Sequence, residues 1–534
     1  MQPYSLTVDK FIDHAAEWFS DRELVEAEAG EAVHRFTYGD LRWRSIRLSG
    51  ALASLGLRQG DRIATLAWNT RNHLEVYYAA MGVGLVCHTL NPRLTAEHLS
   101  EMIAEAEDRV LAVSADLMPL ARELVKRSPV IEHLVVLDAR SRTFTSGTAG
   151  VRIWDLENLV DEHGRDVAWG AFDEYAPAGL CYTSGTTGRP KGVLYTHRSN
   201  YLHTLRLLQA DSMALRQSDV VLLAVPMFHA NGWGLPFAAP AVGSKLLLPG
   251  RHADGASLAK LMRDEGATVG IGVQTVWLGV VEHLEQTGQT LPKLESVIIG
   301  GSSCPANLVR RMEEGLGAEV QTSWGMTELS PLGTISPPGA PRSVTSGAGR
   351  APIGLDLKLV DASGNRLAEQ RNQLGYLRVK GASVIDRYFG AEEGALDEEG
   401  FFDTGDLATI DDDGNLNISG RSKDLIKSGG EWINPAEIEE IIGSHPDVDL
   451  VAVISIPHDK WGERPLLIVQ PRAGIIPDWR LLIEELSGRV ADWWIPEHAA
   501  TVEFMPLSGS GKIDKSRLRE EVAAGAIVGD PISR

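Results

Sequence analysis

The feature that most constrains this chain is a unit repeated through its first 420 residues: a helical stretch, a turn, then a short apolar run that empties into glycine. ALASLGLRQGDRIATLAW, residues 51–68, is one instance. Its helical pattern ends at Gly56, a Gly60–Asp61 turn follows, and an apolar strand starts at Ile63. KLESVIIGGSS, residues 293–303, is another, with a strand over Ser296–Ile299 running into a glycine loop. Helices alternating with apolar strands build parallel sheets flanked by helices. Ligands of such folds sit at the C-terminal ends of the strands. At 534 residues the chain exceeds a single hydrophobic core, so two or more domains are expected.

Near residue 352 the pattern changes. IGLDLKLVDASGNRLAEQ, LGYLRVKG and DLATIDDDGNLNISG are short strands separated by S-G-N and D-G-N turns, the pattern of antiparallel strands or a small barrel. GRSKDLIKSGGEW follows, rich in charge and glycine. Then Asn434, Pro435 and Glu437 fit the N-cap, N1 and N3 positions of a helix, and DLVAVISIP reads as a strand. The predicted fold class is α/β. A large domain over 1–420 holds parallel or mixed sheets with helices and, over about 352–420, the antiparallel barrel. A joint at 421–423 leads to a small mobile α+β domain over 424–534.

The formal charge of −21 argues against nucleic-acid binding, which needs a basic face. An anionic ligand would therefore need a locally positive pocket. Cys87, Cys181 and Cys304 have no zinc-ligand spacing and cannot all pair, so they read as buried reduced thiols of a cytoplasmic protein. The N-terminus has no basic segment followed by an apolar run, and no stretch is long and apolar enough to span a membrane.

TSGT occurs twice. Thr145–Thr148 lies between polar stretches with no lysine in its loop, and reads as a surface turn. Thr183–Thr186 follows the apolar AGLCY and continues through Thr187, Gly188 and Lys191. Glycines admit backbone N–H groups to phosphate oxygens, hydroxyls donate further bonds, and lysine neutralises charge. GTTGRPKG is not a Walker A loop, because glycine follows Lys191 where a serine or threonine is required. The residues alone leave an anion-binding loop and an ordinary turn both open.

Nine further stretches bear on the choice: VPMFHANGW (225–233), IIGGSSCP (298–305), QTSWGMTELSP (321–331), GYLRVKG (375–381), FFDTGDLA (401–408), ISGRSKDLIKSGGEWINPAEIE (418–439), AVISIPHDKWGERP (452–465), WWIPEHA (493–499) and PLSGSGKIDKSRLR (506–519). With YTSGTTGRPKG they resemble, in order and spacing, the adenylate-forming superfamily of acyl-CoA synthetases, peptide-synthetase adenylation domains and firefly-type luciferases. The chain is most similar to the medium- and long-chain fatty acyl-CoA synthetase branch, which includes ligases for short substituted acids such as methylthiopropionate.

The resemblance implies an AMP-forming acid:CoA ligase using ATP, Mg2+ and coenzyme A. A carboxylate would attack the α-phosphate of ATP to give acyl-AMP and pyrophosphate, and a thiol would then displace AMP. Thr183, Ser184, Gly185, Thr186, Thr187 and Lys191 would cradle the β- and γ-phosphates, Thr327 the α-phosphate, and Glu328 the metal. Trp324 and Gly325, with the loop Gly301, Ser302 and Ser303, would flank the adenine, while Asp406 and Arg421 would hold the ribose. Lys512 would bridge carboxylate and α-phosphate during adenylation. The small domain would turn about Lys423 and bring Gly429, Gly430, Glu431 and Trp432 to the coenzyme A side for the second step. His229, Trp233, Gly272 and Gln274 would form the acid pocket, although Trp233 also reads as a core aromatic. Relatives include homodimers, and the sequence displays no interface.

Three departures stand out. Gln274 replaces the usual proline, and either reads a polar group on the acid or caps the turn. Trp324 replaces the common tyrosine and Phe401 the common tryptophan, both aromatic for aromatic. An amino-acid adenylation domain would place an aspartate in VPMFHANGWGLPF, which has no acidic residue. A luciferase-like oxygenase would share every motif. A non-catalytic nucleotide or acyl sensor would not need Lys191, Glu328, Asp406 and Lys512 together.

Overall fold

The computed structural model describes residues 1–138, 150–183, 190–301, 304, 306–341, 347–429, 431–472, 474–508 and 512–532. Among these residues the strands form four sheets. The first has seven strands, in the order Arg152–Asp155, His133–Val136, Val110–Val113, Arg62–Leu66, Val86–Thr89, Pro177–Tyr182 and Gly192–Thr196. All its pairings are parallel except the last, so the second TSGT segment joins an antiparallel pair at the sheet edge. The second has eight strands, with Val220–Leu223, Val269–Val273, Ser296–Gly300 and Glu319–Gly325 in its parallel part.

These elements follow from local chemistry. The helix Tyr38–Ser54 starts with a capping box: the Asp40 amide donates to Thr37 Oγ1 at 3.1 Å and the Thr37 amide to Asp40 Oδ2 at 3.0 Å. It ends just before Gly56, whose φ of 80° supplies the left-handed step past the last turn. Ile63, Val110, Leu111, Leu134 and Val136 lie buried between covering helices, as both-faced parallel strands require. Burying each such side chain contributes about 1.5–3 kcal/mol.

The antiparallel part consists of Leu355–Val360, Gly375–Gly381, Phe402–Ile410 and Leu416–Arg421 in linear order. The expected barrel is, among the described residues, an open meander. Its apolar face packs on Tyr195, Trp324 and Leu329, so a core forms without the sheet closing on itself.

The meander ends at Arg421, and a tight turn over Ser422–Asp424 leads to a six-stranded sheet that starts at Ile426. Asn434 caps the helix Pro435–Gly443 by accepting the Ala436 amide at 3.2 Å, with Pro435 first in the helix and Glu437 third. This C-terminal unit has its own core, including Ile438, Ile442, Leu467 and Leu486. Cys87, Cys181 and Cys304 are buried and unpaired with one another. Among the described residues no helix is long and apolar enough to cross a membrane.

Candidate active site

A cleft of about 940 Å³ opens at the C-terminal ends of both large sheets and is roofed by the C-terminal unit. Thr183 follows the strand Pro177–Tyr182, Gln274 follows Val269–Val273, and Gly301 follows Ser296–Gly300; all three line it. This is where parallel strands place ligands.

On one wall the strand Glu319–Gly325 delivers Trp324 and Gly325, and a single turn over Thr327–Leu329 delivers Thr327 and Glu328. Gly325 has no room for a side chain, since a Cβ would lie 2.4 Å from the Pro331 carbonyl. Trp324 is slotted over Gly333, and its indole N–H donates to Asp406 Oδ2 at 2.9 Å. Asp406 and Arg421 are direct cross-strand partners, and Arg421 Nε donates to Asp406 Oδ1 at 2.8 Å. Arg421 also donates to the Thr404 carbonyl at 3.1 Å. Burial raises the Asp406 pKa, and Arg421, the Trp324 bond and Lys512 oppose that rise. Each carboxylate oxygen therefore has one partner and keeps a lone pair.

Tyr195 donates to the Thr327 carbonyl at 2.7 Å, fixing the turn from beneath. Tyr388 donates to Glu328 Oε1 at 2.9 Å, and Lys191 Nζ lies 4.7 Å from the centre of the Tyr388 ring. Tyr388 thus bridges the lysine of the second TSGT loop and the carboxylate of the TEL turn. Neither tyrosine was singled out from sequence, because each acts through one hydroxyl and belongs to no glycine or charge motif. Ser184, Gly185, Thr186, Thr187, Ser302, Ser303 and Gly430, and the whole first TSGT, lie outside the described residues.

The opposite wall carries His229 and Trp233. From Ala230 to Gly234 the backbone turns left-handed for five consecutive residues, with φ of 42° at Ala230, 44° at Asn231, 64° at Gly232, 53° at Trp233 and 77° at Gly234. Each non-glycine residue held there costs about 1–2 kcal/mol. The Trp233 ring reaches Gly300, where a Cβ would sit 3.1 Å from its tip. Burial, and then Lys512, lower the His229 pKa to about 4, so the imidazole is neutral at physiological pH.

Gln274 lines the cleft as the first residue of the helix Gln274–Thr287. Proline is favoured at that position, which explains the usual residue there. Gly272 departs from expectation. It does not line the cleft: a Cβ there would approach Trp277 Nε1 to 3.2 Å, and one at Gly270 would come within 2.2 Å of the same indole. Strand alternation turns both glycines to the far face of the sheet, where they make room for the buried Trp277.

Lys512 enters from the C-terminal unit. Its Cε would lie 3.1 Å from a Cβ at Gly301, whose φ of 94° belongs to glycine. Burial, then Arg421, lower its pKa to about 8, against the opposing pull of Asp406 and Glu328. Lys423, exposed in the Ser422–Asp424 turn, lines the same cleft. The unit is docked by Asn307, whose amide donates to the Ser444 carbonyl at 2.9 Å, just past the end of the helix Pro435–Gly443. Gly429, Glu431 and Trp432 do not line the cleft in this arrangement. Gly429, at φ 61°, lets the Trp461 ring approach, and Trp432 is exposed.

A lysine from the C-terminal unit, a carboxylate acceptor paired with an arginine, and a hydroxyl–carboxylate turn around one cleft form an arrangement suited to nucleotide chemistry. Residues 12–389 match the AMP-binding enzyme family and residues 437–512 match the AMP-binding enzyme C-terminal domain. The chain is 41% identical to a medium-chain-fatty-acid–CoA ligase of Ectopseudomonas oleovorans, over 98% of this chain and 97% of the other. It is 40% identical to a 3-methylmercaptopropionyl-CoA ligase of Ruegeria lacuscaerulensis, over 98% of each. Among solved structures it resembles ATP-bound MatB of Rhodopseudomonas palustris, with a TM-score of 0.83 and 27% identity over 96% of this chain and 98% of the other. The chain belongs to the AMP-binding enzyme family, among its AMP-forming acid–CoA ligases.

Proposed function

We propose that the protein activates a medium- or long-chain fatty acid, or a short substituted acid, and hands the acyl group to coenzyme A in the cytoplasm. The acids named for its relatives support this range. In the first half-reaction a carboxylate oxygen attacks the α-phosphorus of ATP. The bond to the β-phosphate oxygen breaks and pyrophosphate leaves, giving acyl-AMP. In the second, the coenzyme A sulfur attacks the acyl carbon, AMP leaves, and the thiol proton goes to solvent.

Both steps gather negative charge, so the protein's task is placement and neutralisation. In this reading Asp406 accepts from both ribose hydroxyls through its free lone pairs, with Arg421 holding it in register. Trp324 and the glycine loop at Gly301 flank the adenine. Thr183 to Thr187 and Lys191 hold the β- and γ-phosphates, and Thr327 the α-phosphate. Neutral His229 borders the acid carboxylate as a hydrogen-bonding group, and Trp233 and Gln274 shape the acid's path. Glu328 suits Mg2+: it is a hard oxygen ligand on the cleft wall with Tyr388 fixing one oxygen, and Mg2+ needs one or two carboxylates beside substrate phosphates. When bound, the ion supplies charge neutralisation on the triphosphate.

The observation that carries the reading is Lys512, brought from the last residues of the chain to Gly301 and within electrostatic reach of His229, Asp406 and Glu328. The cation belongs between carboxylate and α-phosphate. Rotation about Lys423 then withdraws it and admits the Gly429–Trp432 segment with the thiol. Lys512→Ala should lower acid-dependent ATP–pyrophosphate exchange by about 10²–10³-fold. The same variant should keep much of its rate of thioester formation from supplied acyl-AMP. Equal loss in both half-reactions would overturn the alternation. AMP release across short, medium, long, methylthio- and aryl-substituted acids identifies the preferred substrate.

A further inference from the structure

The left-handed turn bearing Trp233 is not held by its own sequence. Three of its five residues, Ala230, Asn231 and Trp233, carry side chains that disfavour this backbone. Something outside the turn fixes it, and the contacts converge on one side chain. Asn231 is 2% exposed and points into the C-terminal end of the seven-stranded sheet. Its Nδ2 donates to Thr89 Oγ1 at 3.3 Å. Thr89 Oγ1 is 3.2 Å from the Phe228 carbonyl, to which it donates, and 3.2 Å from Cys181 Sγ. The amide oxygen of Asn231 fills the space beside Gly179, where a Cβ would come within 2.3 Å of it.

Thr89, Gly179 and Cys181 lie on two neighbouring parallel strands, with Thr89 and Cys181 in register. They form a socket into which the turn plugs. The segment before the turn is tied to the same region. Asn69 donates to the Leu223 and Val225 carbonyls at 2.9 and 2.8 Å and accepts the Met227 amide at 2.7 Å. Tyr77 donates to the Met227 carbonyl. Met227, Phe228 and Asn231 are thus tied to the strand Val86–Thr89, to Asn69 and to the helix Arg71–Gly82, on a sheet that does not itself carry the His229–Trp233 segment.

We propose that Asn231, seated in the socket of Thr89, Gly179 and Cys181, is the positioning residue that sets where His229 and Trp233 stand, and so which acids the cleft accepts. It touches no substrate. This rests on the reading of His229 and Trp233 as the acid side of the cleft. Asparagine serves two needs at once: it tolerates positive φ better than other side-chain-bearing residues, and its amide reaches Thr89.

Those needs separate experimentally. Asn231→Gly keeps the left-handed backbone without penalty and removes only the amide. Steady-state kinetics across acids of graded chain length would be measured for Asn231→Gly, Thr89→Val, Thr89→Ser, the double variant Asn231→Gly/Thr89→Val, and Trp233→Ala. The expected result is an acid KM raised about three- to tenfold by Asn231→Gly and by Thr89→Val. The chain-length preference should flatten in both, with the KM for ATP within about twofold of the parent. Thr89→Ser should restore the parent profile, and the double variant should be no worse than the poorer single one. Wild-type behaviour of Asn231→Gly, while Trp233→Ala still shifts the acid profile, would overturn the proposal and leave the acid-side reading standing. An unchanged acid profile in Trp233→Ala would overturn both. A parallel rise in both KM values with a lowered thermal midpoint would mean general loosening and would also overturn it.

Discussion

The two walls of the cleft are built on opposite principles. The wall proposed to hold the nucleotide joins Asp406, Arg421 and Trp324 on regular strands and Glu328, held by Tyr388, on one tight turn, with bonds of 2.8–2.9 Å. The wall proposed for the acid joins neutral groups, His229 and Trp233, around a strained left-handed loop. ATP is the same in every cycle, so fixed charges on rigid ladders suit it. In the proposed reading an acid's tail is read by shape, and that shape is set by where the loop is pinned. Natural proteins place such costly backbone where function requires it.

Ways to break this contrast follow in order of expected effect. After Lys512→Ala, the largest change should come from Asp406→Asn, which removes the charge that holds Arg421. The KM for ATP should rise about tenfold or more while the acid KM stays unchanged. Movement of the acid KM would dissolve the distinction between the walls. In the second TSGT, Thr186→Ala should raise the KM for ATP several-fold, about the worth of one bond to a charged group. Thr148→Ala in the first should leave kinetics unaltered, and equal effects would reverse the choice of loop.

The pH dependence comes next. Lys512, at about 8, is protonated near neutrality and loses its charge as pH rises through that value. Pyrophosphate exchange should therefore fall on the alkaline side, with bound triphosphate pushing the limb upward. His73 and His229 have pKa values lowered by burial from 6.5 to about 4. The unfolded chain then binds protons that the folded one refuses. Stability is full above about 6.5 and is lost as pH falls toward 4, so the thermal midpoint should drop between about pH 7 and pH 5. The smallest effect belongs to Gly270→Ala, which crowds Trp277. It should cost about 1–3 kcal/mol of stability and leave the acid profile alone. A shifted acid profile would return that strand face to the pocket.

Much of this was legible in the sequence because it rests on local chemistry. The Gly56 stop, the Asn434–Pro435–Glu437 cap and the strand Ser296–Ile299 entering glycine each follow from neighbouring residues, and the structure has them where expected. The family was legible because ten glycine- and charge-marked stretches keep their order. What stayed hidden depends on partners far along the chain. Tyr195 and Tyr388 act on residues 132 and 60 positions away. Gly272 looked like pocket space because sequence shows a missing side chain but not which face it is missing from. The left-handed turn in HANGWG gives no signal beyond its two glycines.

The tight turn at Ser422–Asp424 has a mechanical consequence. Arg421, which grips Asp406, is both the last residue of the meander and the first of the expected 421–423 joint. In the proposed alternation the C-terminal unit is therefore a lever whose fulcrum is bolted to the pair proposed to hold the ribose. In that proposal Lys512 sits far along the lever in sequence yet must arrive within hydrogen-bonding distance of an α-phosphate oxygen. Any slack at such a fulcrum is multiplied at the tip, so in the proposed motion docking contacts such as Asn307 on the Ser444 carbonyl would be the stop that ends the swing.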